Sequence, residues 1–397
     1  MSDKKKTGSY LRGITRLITD ATIGITDMVE AVHKQIVHPS FLPSTPVQHL
    51  ITNIAGKTYQ NVRTGTKVVG EGLDIVLDKL TPILRETPNT DKSEAIRAVL
   101  NGVIGDHLEE RSNPLKIDMC FRHQSKTLPT DKKGLSEHYP TINGKILLMV
   151  HGLCMNDILW ARKGHNHGTE LAKVLSKTPI YLYYNTGRHI SSNGRDFDNL
   201  LEELVTNWPV PVEELVIVAH SMGGLVTRSA IHYGLEQQKT WTKNLKEIAF
   251  LGTPHHGAPL ERVGNYVDVT LESFPYAKPF ARLGKIRSAG VTDLRYGNLL
   301  DEDWQGIGRF EAQNDQRKHI QLPKTVKSYC IAANIKKATG QTLGDGLVTV
   351  KSALGQHKNS SKNLDFKKEN TWVAHETSHF DLLNHPKVYT KLKEWLT

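Results

Sequence analysis

One stretch, residues 215–226, constrains the fold more than any other part of the chain. It reads Leu-Val-Ile-Val-Ala-His-Ser-Met-Gly-Gly-Leu-Val, so a short apolar run rich in β-branched residues meets Ser221 between small neighbours. A helix-like run to Tyr233 follows, and this order predicts a strand, a tight turn and a helix. Such a turn lifts the serine hydroxyl clear of the sheet, which requires small residues two positions before and two after it. Ala219 and Gly223 occupy those positions.

The small residues around Ser221 favour a nucleophile elbow over an ordinary buried serine in a Gly-rich turn. Gly is usual two positions before the serine, and Ala219 is a departure whose single methyl group still lets strand and helix cross. Five-residue serine motifs also occur by chance, so the prediction depends on the strand and the helix around it. We predict that Ser221 is a catalytic nucleophile.

Length and hydropathy indicate a globular protein that could hold two domains. The chain has 397 residues, a hydrophobic fraction of 38% and a mean hydropathy of −0.40, which suffice for a large core. No run approaches the roughly 20 apolar residues of a membrane span. The basic start of the sequence is not followed by a continuous apolar core, so we expect no secretory signal.

Cysteine usage predicts a reducing compartment. Three cysteines, Cys120, Cys154 and Cys330, sit in or beside apolar runs. This pattern is typical of buried thiols and not of a disulfide framework. We therefore expect a cytoplasmic protein, with association at a membrane surface left open.

The net charge of +10 and the pI near 9.3 raise the question of an anionic partner. The basic residues are scattered, and the densest segment, 351–368, is interrupted by Gly, Asn, Ser and Asp. We expect no nucleic-acid partner. Weak peripheral contact with acidic lipid surfaces stays open.

Residues 1–112 predict a separate N-terminal helical region. Apolar residues recur at steps of three and four over 11–36, and weaker or shorter patterns follow over 47–80 and 92–108. The long apolar stripe must cover the rest of the protein, pair with another chain or lie on a membrane. We favour packing on the core or in a homodimer. No catalytic groups accompany the histidines of residues 1–112, which are His33, His38 and His107.

From Pro114 onward, strand and helix patterns alternate as in a doubly wound, mostly parallel α/β sheet. Between 258 and 322 the strand pattern lapses, and aromatic residues mix with Pro and Gly, which predicts a cap or lid insertion. The predicted strands are 115–121, 145–150, 180–184, the run before Ser221, 245–251, 326–335 and 372–374, with a further element starting at 347–350. The predicted helices are 169–176, 197–208, the run after Ser221, and 386–396.

Three motifs carry a resemblance to a known superfamily. They are Val-His-Gly-Leu at 150–153, His-Ser-Met-Gly-Gly at 220–224 and Leu-Gly-Thr-Pro-His-His-Gly at 251–257. From about Asn113 to the C-terminus the sequence resembles the α/β-hydrolases, most of all bacterial lipases and esterases related to GPI inositol-deacylase (PGAP1-like). The resemblance implies an α/β-hydrolase domain over 113–397 with a cap at about 258–322.

The resemblance also implies the partners of the nucleophile. In this fold the acid and then the histidine follow the serine along the chain, and the matching positions hold Asp345 and His379. Asp345 could instead be an ordinary turn residue between glycines. His375 and His385 are rival bases, of which His385 precedes Pro386 and fits a helix entry better.

Two backbone amides are implied as the oxyanion hole, those of Leu153 after a strand end and Met222 after the nucleophile.

No cofactor is implied. The histidine pairs 165/167 and 255/256 lack carboxylate or cysteine partners at ligand spacing, so we expect no catalytic zinc.

These residues predict a serine ester hydrolase acting on an acyl ester or lipid through an acyl-enzyme. An acyltransferase would use the same groups but exclude water. A binding protein could keep the fold without the chemistry, although all expected groups occur in order.

Overall fold

A computed structural model describes residues 91–139, 142–258, 266–272, 286–308, 315, 317–337 and 344–397, together with positions 74, 77, 78 and 81. The helices predicted at 11–36 and over most of 47–80 therefore lie outside the described residues. So do three aromatic residues of the predicted cap, Phe274, Tyr276 and Phe280. In the part of the chain that is described, no helix is both long enough and apolar enough to span a bilayer.

Among the described residues, eight strands form one mixed sheet. In chain order they are β1 (Cys120–His123), β2 (Lys126–Thr127), β3 (Lys145–Val150), β6 (Thr178–Tyr183), β7 (Glu214–His220), β8 (Leu245–Leu251), β9 (Lys327–Asn334) and β10 (Thr371–His375). Between β3 and β6, β4 (Ala161–Arg162) and β5 (His165–Asn166) form a separate hairpin. The sheet order is β10-β9-β8-β7-β3-β6-β1-β2, and all pairs from β10 to β6 are parallel. In the described part of the sheet, β1 alone runs in the opposite direction, and it pairs antiparallel with both β6 and β2.

The described helices are α1 (Asp91–Glu110), α2 (Lys132–His138), α3 (His167–Leu175), α4 (Ile190–Asn207), α5 (Met222–Glu236), α6 (Trp241–Asn244), α7 (Tyr266–Glu272), α8 (Ala289–Asp293), α9 (Val350–Ala353) and α10 (Pro386–Leu396). Two helix pairs, α4 with α5 and α3 with α10, flank the sheet. The central strands are buried along nearly their whole length, as expected for a parallel sheet covered on both faces.

The alternating pattern from 114 onward is confirmed, with small shifts at the ends. The strands at Lys145–Val150 and Leu245–Leu251 and the helix at Pro386–Leu396 have the predicted bounds. The strand predicted at 115–121 is wrong in its first half. Asn101 of α1 bonds there to the carbonyl of Leu115 and the amide of Ile117, so these groups are not available to a neighbouring strand.

The element predicted from 347 begins only at Val350. The amides of Leu347 and Val348 donate instead to the carboxylate of Asp345, at 2.9 and 2.7 Å. A side chain that accepts two successive amides holds the backbone in a turn. Helix α9 starts after this turn, with the Thr349 side chain as its N-cap.

Helix α1 belongs to the same hydrophobic core as the sheet. Its residues Leu100, Val103 and Leu108 are buried in that core. Gly102 lies so close to the loop after β3 that an added Cβ would be 2.2 Å from Cys154 Sγ. His107 is satisfied by Asp74, at 2.9 Å. The described end of the N-terminal region therefore packs on the sheet domain.

The order in which strands are added to the sheet changes side at β3. From β3 the chain crosses to β6 on one side and then to β7 on the other. Val150 pairs with Ala219 in the parallel register of β3 and β7, so the loops that follow these strands start side by side. Ligand sites in open α/β sheets lie at such a reversal, beyond the carboxyl ends of the strands. No described residue of 258–322 is in a strand, and the cap over this segment stays a prediction.

Candidate active site

Ser221 sits in a strained turn between β7 and α5. Its backbone has φ 55° and ψ −128°, a region that residues with a Cβ rarely occupy. Gly223 makes this close crossing possible, because a Cβ there would lie 2.4 Å from the carbonyl oxygen of His151. Ala219 is fully buried in β7, so its methyl group is accommodated. The turn has the geometry of a nucleophile elbow.

Asp345 and His379 form a buried pair. His379 Nδ1 lies 2.6 Å from Asp345 Oδ2, and both residues are almost fully buried. The His379 amide also donates to the Asp345 carbonyl, at 3.0 Å. Because Nδ1 donates to the carboxylate, Nε2 is the nitrogen left with a lone pair. The two loops meet because their strands, β9 and β10, are neighbours in the sheet.

Gly252, at the end of β8, lies directly beneath this pair. It has φ +59°, and an added Cβ would be 3.2 Å from both Asp345 Oδ2 and His379 Cε1. Gly252 is the glycine of the Leu-Gly-Thr-Pro-His-His-Gly motif at 251–257. The absence of a side chain at Gly252 is what lets the pair reach across β8 toward Ser221.

The two amides implied as an oxyanion hole lie on either side of Ser221. Gly152, just before Leu153, approaches the serine so closely that an added Cβ would lie 2.9 Å from Ser221 Cβ. Met222 is the first residue of α5, where backbone amides have no intrahelical partner. Within the described residues, neither the Leu153 nor the Met222 amide donates to another group.

A comparison with known protein families bears on the fold. Residues 141–329, just under half of the chain, match the family described as the PGAP1-like alpha/beta domain. The chain has the α/β-hydrolase fold. The matched segment includes β3, the elbow and β8, whereas Asp345 and His379 lie beyond it.

Solved structures with partial likeness include three enzymes. Mature lipase BlEst2 from Bacillus licheniformis is 19% identical, covers 64% of this chain and 92% of its own, and has a TM-score of 0.42. An esterase from Pyrococcus furiosus is 15% identical, with coverages of 64% and 82% and a TM-score of 0.37. Phospholipase PlaB from Legionella pneumophila is 18% identical, with coverages of 53% and 45% and a TM-score of 0.35. The comparison with curated proteins found no match.

Tyr266 of α7 covers the serine of this hydrolase fold. Its hydroxyl lies 3.3 Å from Ser221 Oγ. Ser221, Tyr266 and His379 line one cleft, which has no room for a water molecule among the described residues that form it. Within the same residues, Ser221 Oγ makes no hydrogen bond to His379. The sequence pattern marked Tyr266 only as one of several aromatic residues in the predicted cap.

His220, the residue before Ser221, makes a contact that the sequence pattern did not indicate. It is fully buried, and its Nε2 donates to the carbonyl of His379 at 3.1 Å. The rings of the two histidines are 4.7 Å apart. Burial, followed by the neighbouring His379, holds the pKa of His220 well below its usual range, so His220 stays neutral. It links the elbow directly to the His379 loop.

The two other candidate bases, His375 and His385, make different contacts. His375 ends β10, and its Nδ1 is 3.5 Å from Asn334 Nδ2. His385 is the N-cap of α10 and accepts the Lys387 amide at 3.2 Å, which confirms its role as a helix-entry residue. Within the described residues, no group of three potential ligands is arranged to hold a metal.

Proposed function

We propose that this protein is a serine ester hydrolase in which Ser221 is the nucleophile, His379 the base and Asp345 the orienting acid. The observation that carries the proposal is the Asp345–His379 pair, 2.6 Å long and buried, which faces the same cleft as a serine held in a strained turn. A serine hydroxyl is a poor nucleophile at neutral pH and needs such a base.

The reaction begins when Ser221 Oγ attacks the carbonyl carbon of the ester and its proton passes to His379 Nε2. The developing imidazolium is stabilised by the Asp345 carboxylate, which is itself fixed by the amides of Leu347 and Val348. His379 then gives the proton to the departing alcohol, and an acyl-enzyme remains. Water, deprotonated by the same nitrogen, releases the acid and restores the serine.

The oxyanion of the tetrahedral intermediate would be held by the amides of Leu153 and Met222. Support comes from their position beside Ser221 and from the lack of other acceptors for them among the described residues. Two preorganised donors of this kind contribute several kcal/mol to the transition state in related chemistry.

The cleft favours an acyl ester or lipid as substrate. Apart from the polar groups of the site, its walls include Leu153, Met155, Leu347 and Phe380. Apolar walls suit the acyl part of an ester. We further propose that residues 113–397 form the hydrolase domain, that 258–322 caps this cleft, and that the protein acts in the cytoplasm.

Two alternative functions would use the same fold and the same cleft. An acyltransferase would pass the acyl group from Ser221 to an alcohol or thiol and keep water out. A binding protein would retain the cleft without turnover, but it would have no need for the buried Asp345–His379 pair.

An assay with short and long p-nitrophenyl esters, with and without a competing alcohol, separates these functions. A hydrolase releases free acid in both conditions, and a transferase yields mainly the new ester. Labelling by a fluorophosphonate should occur at Ser221 and disappear in Ser221→Ala. Labelling at another serine, or no turnover and no labelling, would refute the proposal.

A further inference from the structure

A second site lies away from the serine cleft, around Arg228 of α5. Arg228 is only 5% exposed. Its Nη2 donates to the Ile320 carbonyl at 2.7 Å, and Nη1 lies 3.4 Å from His255 Nδ1. Its Nε has no hydrogen-bond partner, and no described carboxylate forms an ion pair with the guanidinium. Burial and the nearby charge of Arg317 lower the pKa of Arg228 to about 9, so it remains a cation at neutral pH.

Three histidines line the same small cavity, each with an unpartnered ring nitrogen: His255, His256 and His319. His255 Nδ1 receives the Arg228 contact, so its unpartnered Nε2 carries the hydrogen. His255 is fully buried. A buried cation and a buried N–H donor therefore share one cavity, and among the described residues no carboxylate is paired with either. His256 Nε2 donates to the Gly355 carbonyl at 3.0 Å, so the unpartnered His256 Nδ1 is a neutral acceptor that brings no counter-charge. Its volume of about 10 Å³ is enough for about one oxygen atom.

The carboxylates near this cavity are engaged by other groups. Asp315 is held by Arg317 at 2.8 and 3.1 Å and also by Lys362 at 3.4 Å. Asp303 accepts the amides of Leu299 and Leu300. Neither forms an ion pair with Arg228. Asp303 acts on Arg228 only through space and raises its pKa, and a buried charge without an ion pair is costly unless something compensates it.

A groove of about 310 Å³ adjoins the cavity, and Arg228 and Ile320 line both. Its walls are largely apolar, with Ile231, Leu235, Leu322 and Pro323 among them. Leu235 is 47% exposed. The volume is within the range of small-molecule sites.

We propose that Arg228 and His255 bind an anionic oxygen of a carboxylate or phosphate head group, on an amphiphile whose hydrocarbon chain lies in the groove beside α5. The head supplies the missing acceptor and the counter-charge. The hydrocarbon chain of the ligand covers the apolar wall of the groove. This site is separate from the Ser221 cleft, and its existence does not depend on the reaction proposed there.

Thermal unfolding of the full-length protein tests the proposal, with octanoate, octyl phosphate, octanol and inorganic phosphate as separate ligands. The two anionic amphiphiles should raise Tm by roughly 2 °C at ten times their Kd, and octanol should not. An equal rise with inorganic phosphate would overturn the role of the chain. An equal rise with octanol, or no rise with either amphiphile, would overturn the site.

Three variants locate the effect. Arg228→Met should abolish the rise while leaving the ligand-free Tm unchanged or higher, because an uncompensated charge is replaced by an apolar side chain of similar size. Lys246→Met removes one exposed charge at the far end of β8 and should keep the rise. Leu235→Glu, at a half-exposed position, should fold normally and repel anionic ligands from the groove. A rise that survives in Arg228→Met or Leu235→Glu would refute the site, as would binding confined to the Ser221 cleft.

Discussion

The Tyr266 hydroxyl lies 3.3 Å from Ser221 Oγ, so the serine that is proposed to attack the substrate is hydrogen-bonded to the first residue of α7. The cleft around them is closed to water among the described residues that line it. A substrate must therefore displace this contact before it reaches the serine. Breaking the hydrogen bond between Tyr266 and Ser221 costs free energy, and substrate binding is weakened by that amount.

Tyr266→Phe tests whether this contact restrains the enzyme. One neutral hydrogen bond is worth about 1 kcal/mol net, so we expect kcat/KM for a short p-nitrophenyl ester to rise by up to about fivefold. The reason is that the variant keeps the ring but loses the bond to Ser221. A decrease of about 100-fold would mean instead that the hydroxyl serves as an oxyanion donor.

The triad prediction concerns three substitutions made one at a time. Ser221→Ala and His379→Ala should each lower kcat by roughly 10⁴-fold or more, because the members of a triad act as a unit. Asp345→Asn should also be severe, on the order of 10³-fold to 10⁴-fold, since an amide can hold the imidazole in the wrong tautomer. Steady-state kinetics together with circular dichroism would separate lost activity from lost folding.

His375→Ala and His385→Ala are the controls for that series. His375 lies at the end of β10, and His385 caps α10. Both variants should retain activity within about tenfold of wild type, with His385→Ala losing about 1 kcal/mol of stability through its cap. If His375→Ala were the inactive variant, the assignment of His379 as the base would be wrong.

Gly252→Ala tests the space beneath the Asp345–His379 pair. The new methyl group would lie 2.8 Å from Leu382 Cδ1 and 3.2 Å from Asp345 Oδ2 and His379 Cε1. We expect a fall in kcat of about 10-fold to 100-fold through displacement of the Asp345–His379 pair. Gly164→Ala is the matched control. Gly164 also has a positive φ, +78°, but nothing lies within 4 Å of an added Cβ. Equal kinetic losses in the two variants would mean that only backbone strain matters.

Sequence patterns predicted the parallel sheet well because its buried strands are continuous apolar runs bounded by Gly, Pro and polar residues. The proposed triad positions came from chain order in the resemblance, and the structure brings Asp345 and His379 into contact. Tyr266, His220 and Arg228 could not be identified in this way. Their roles depend on contacts across tens of residues, such as the 45 between Ser221 and Tyr266, and periodicity along the chain carries no information on such contacts.

Buried neutral histidines predict a loss of stability in mild acid. Burial lowers the pKa of His151 to about 4 and that of His167 to about 3, with the neighbouring His165 also acting on His167. Both values lie below the ordinary 6.5, so the unfolded chain binds more protons between pH 6.5 and these values. Stability is therefore full above pH 6.5 and falls as the pH decreases toward 4.

His151→Phe measures this effect at one position, since a phenyl ring can keep the stacking on Tyr184 at 4.5 Å but cannot titrate. Each such histidine should lower the free energy of unfolding by about 1.4 kcal/mol when the pH falls from 7.5 to 5.5. Urea unfolding at the two pH values should show a smaller difference for the variant than for wild type. The same pH dependence in both proteins would mean that His151 does not contribute.

The last prediction concerns the N-terminal region, whose end is the described helix α1. Leu100, Val103 and Leu108 of α1 are buried in the sheet core, and burial of such side chains is worth roughly 1.5–3 kcal/mol each. Gly102 also packs on Cys154, next to the proposed oxyanion amide. A chain that begins at residue 113 should therefore aggregate or melt at a lower temperature in detergent-free buffer, and a chain that begins at residue 91 should lose less. Light scattering and thermal unfolding of both chains would show this order. If the shorter chain were soluble and active while the full-length protein pelleted with anionic liposomes, the region would be a membrane anchor and not part of the core.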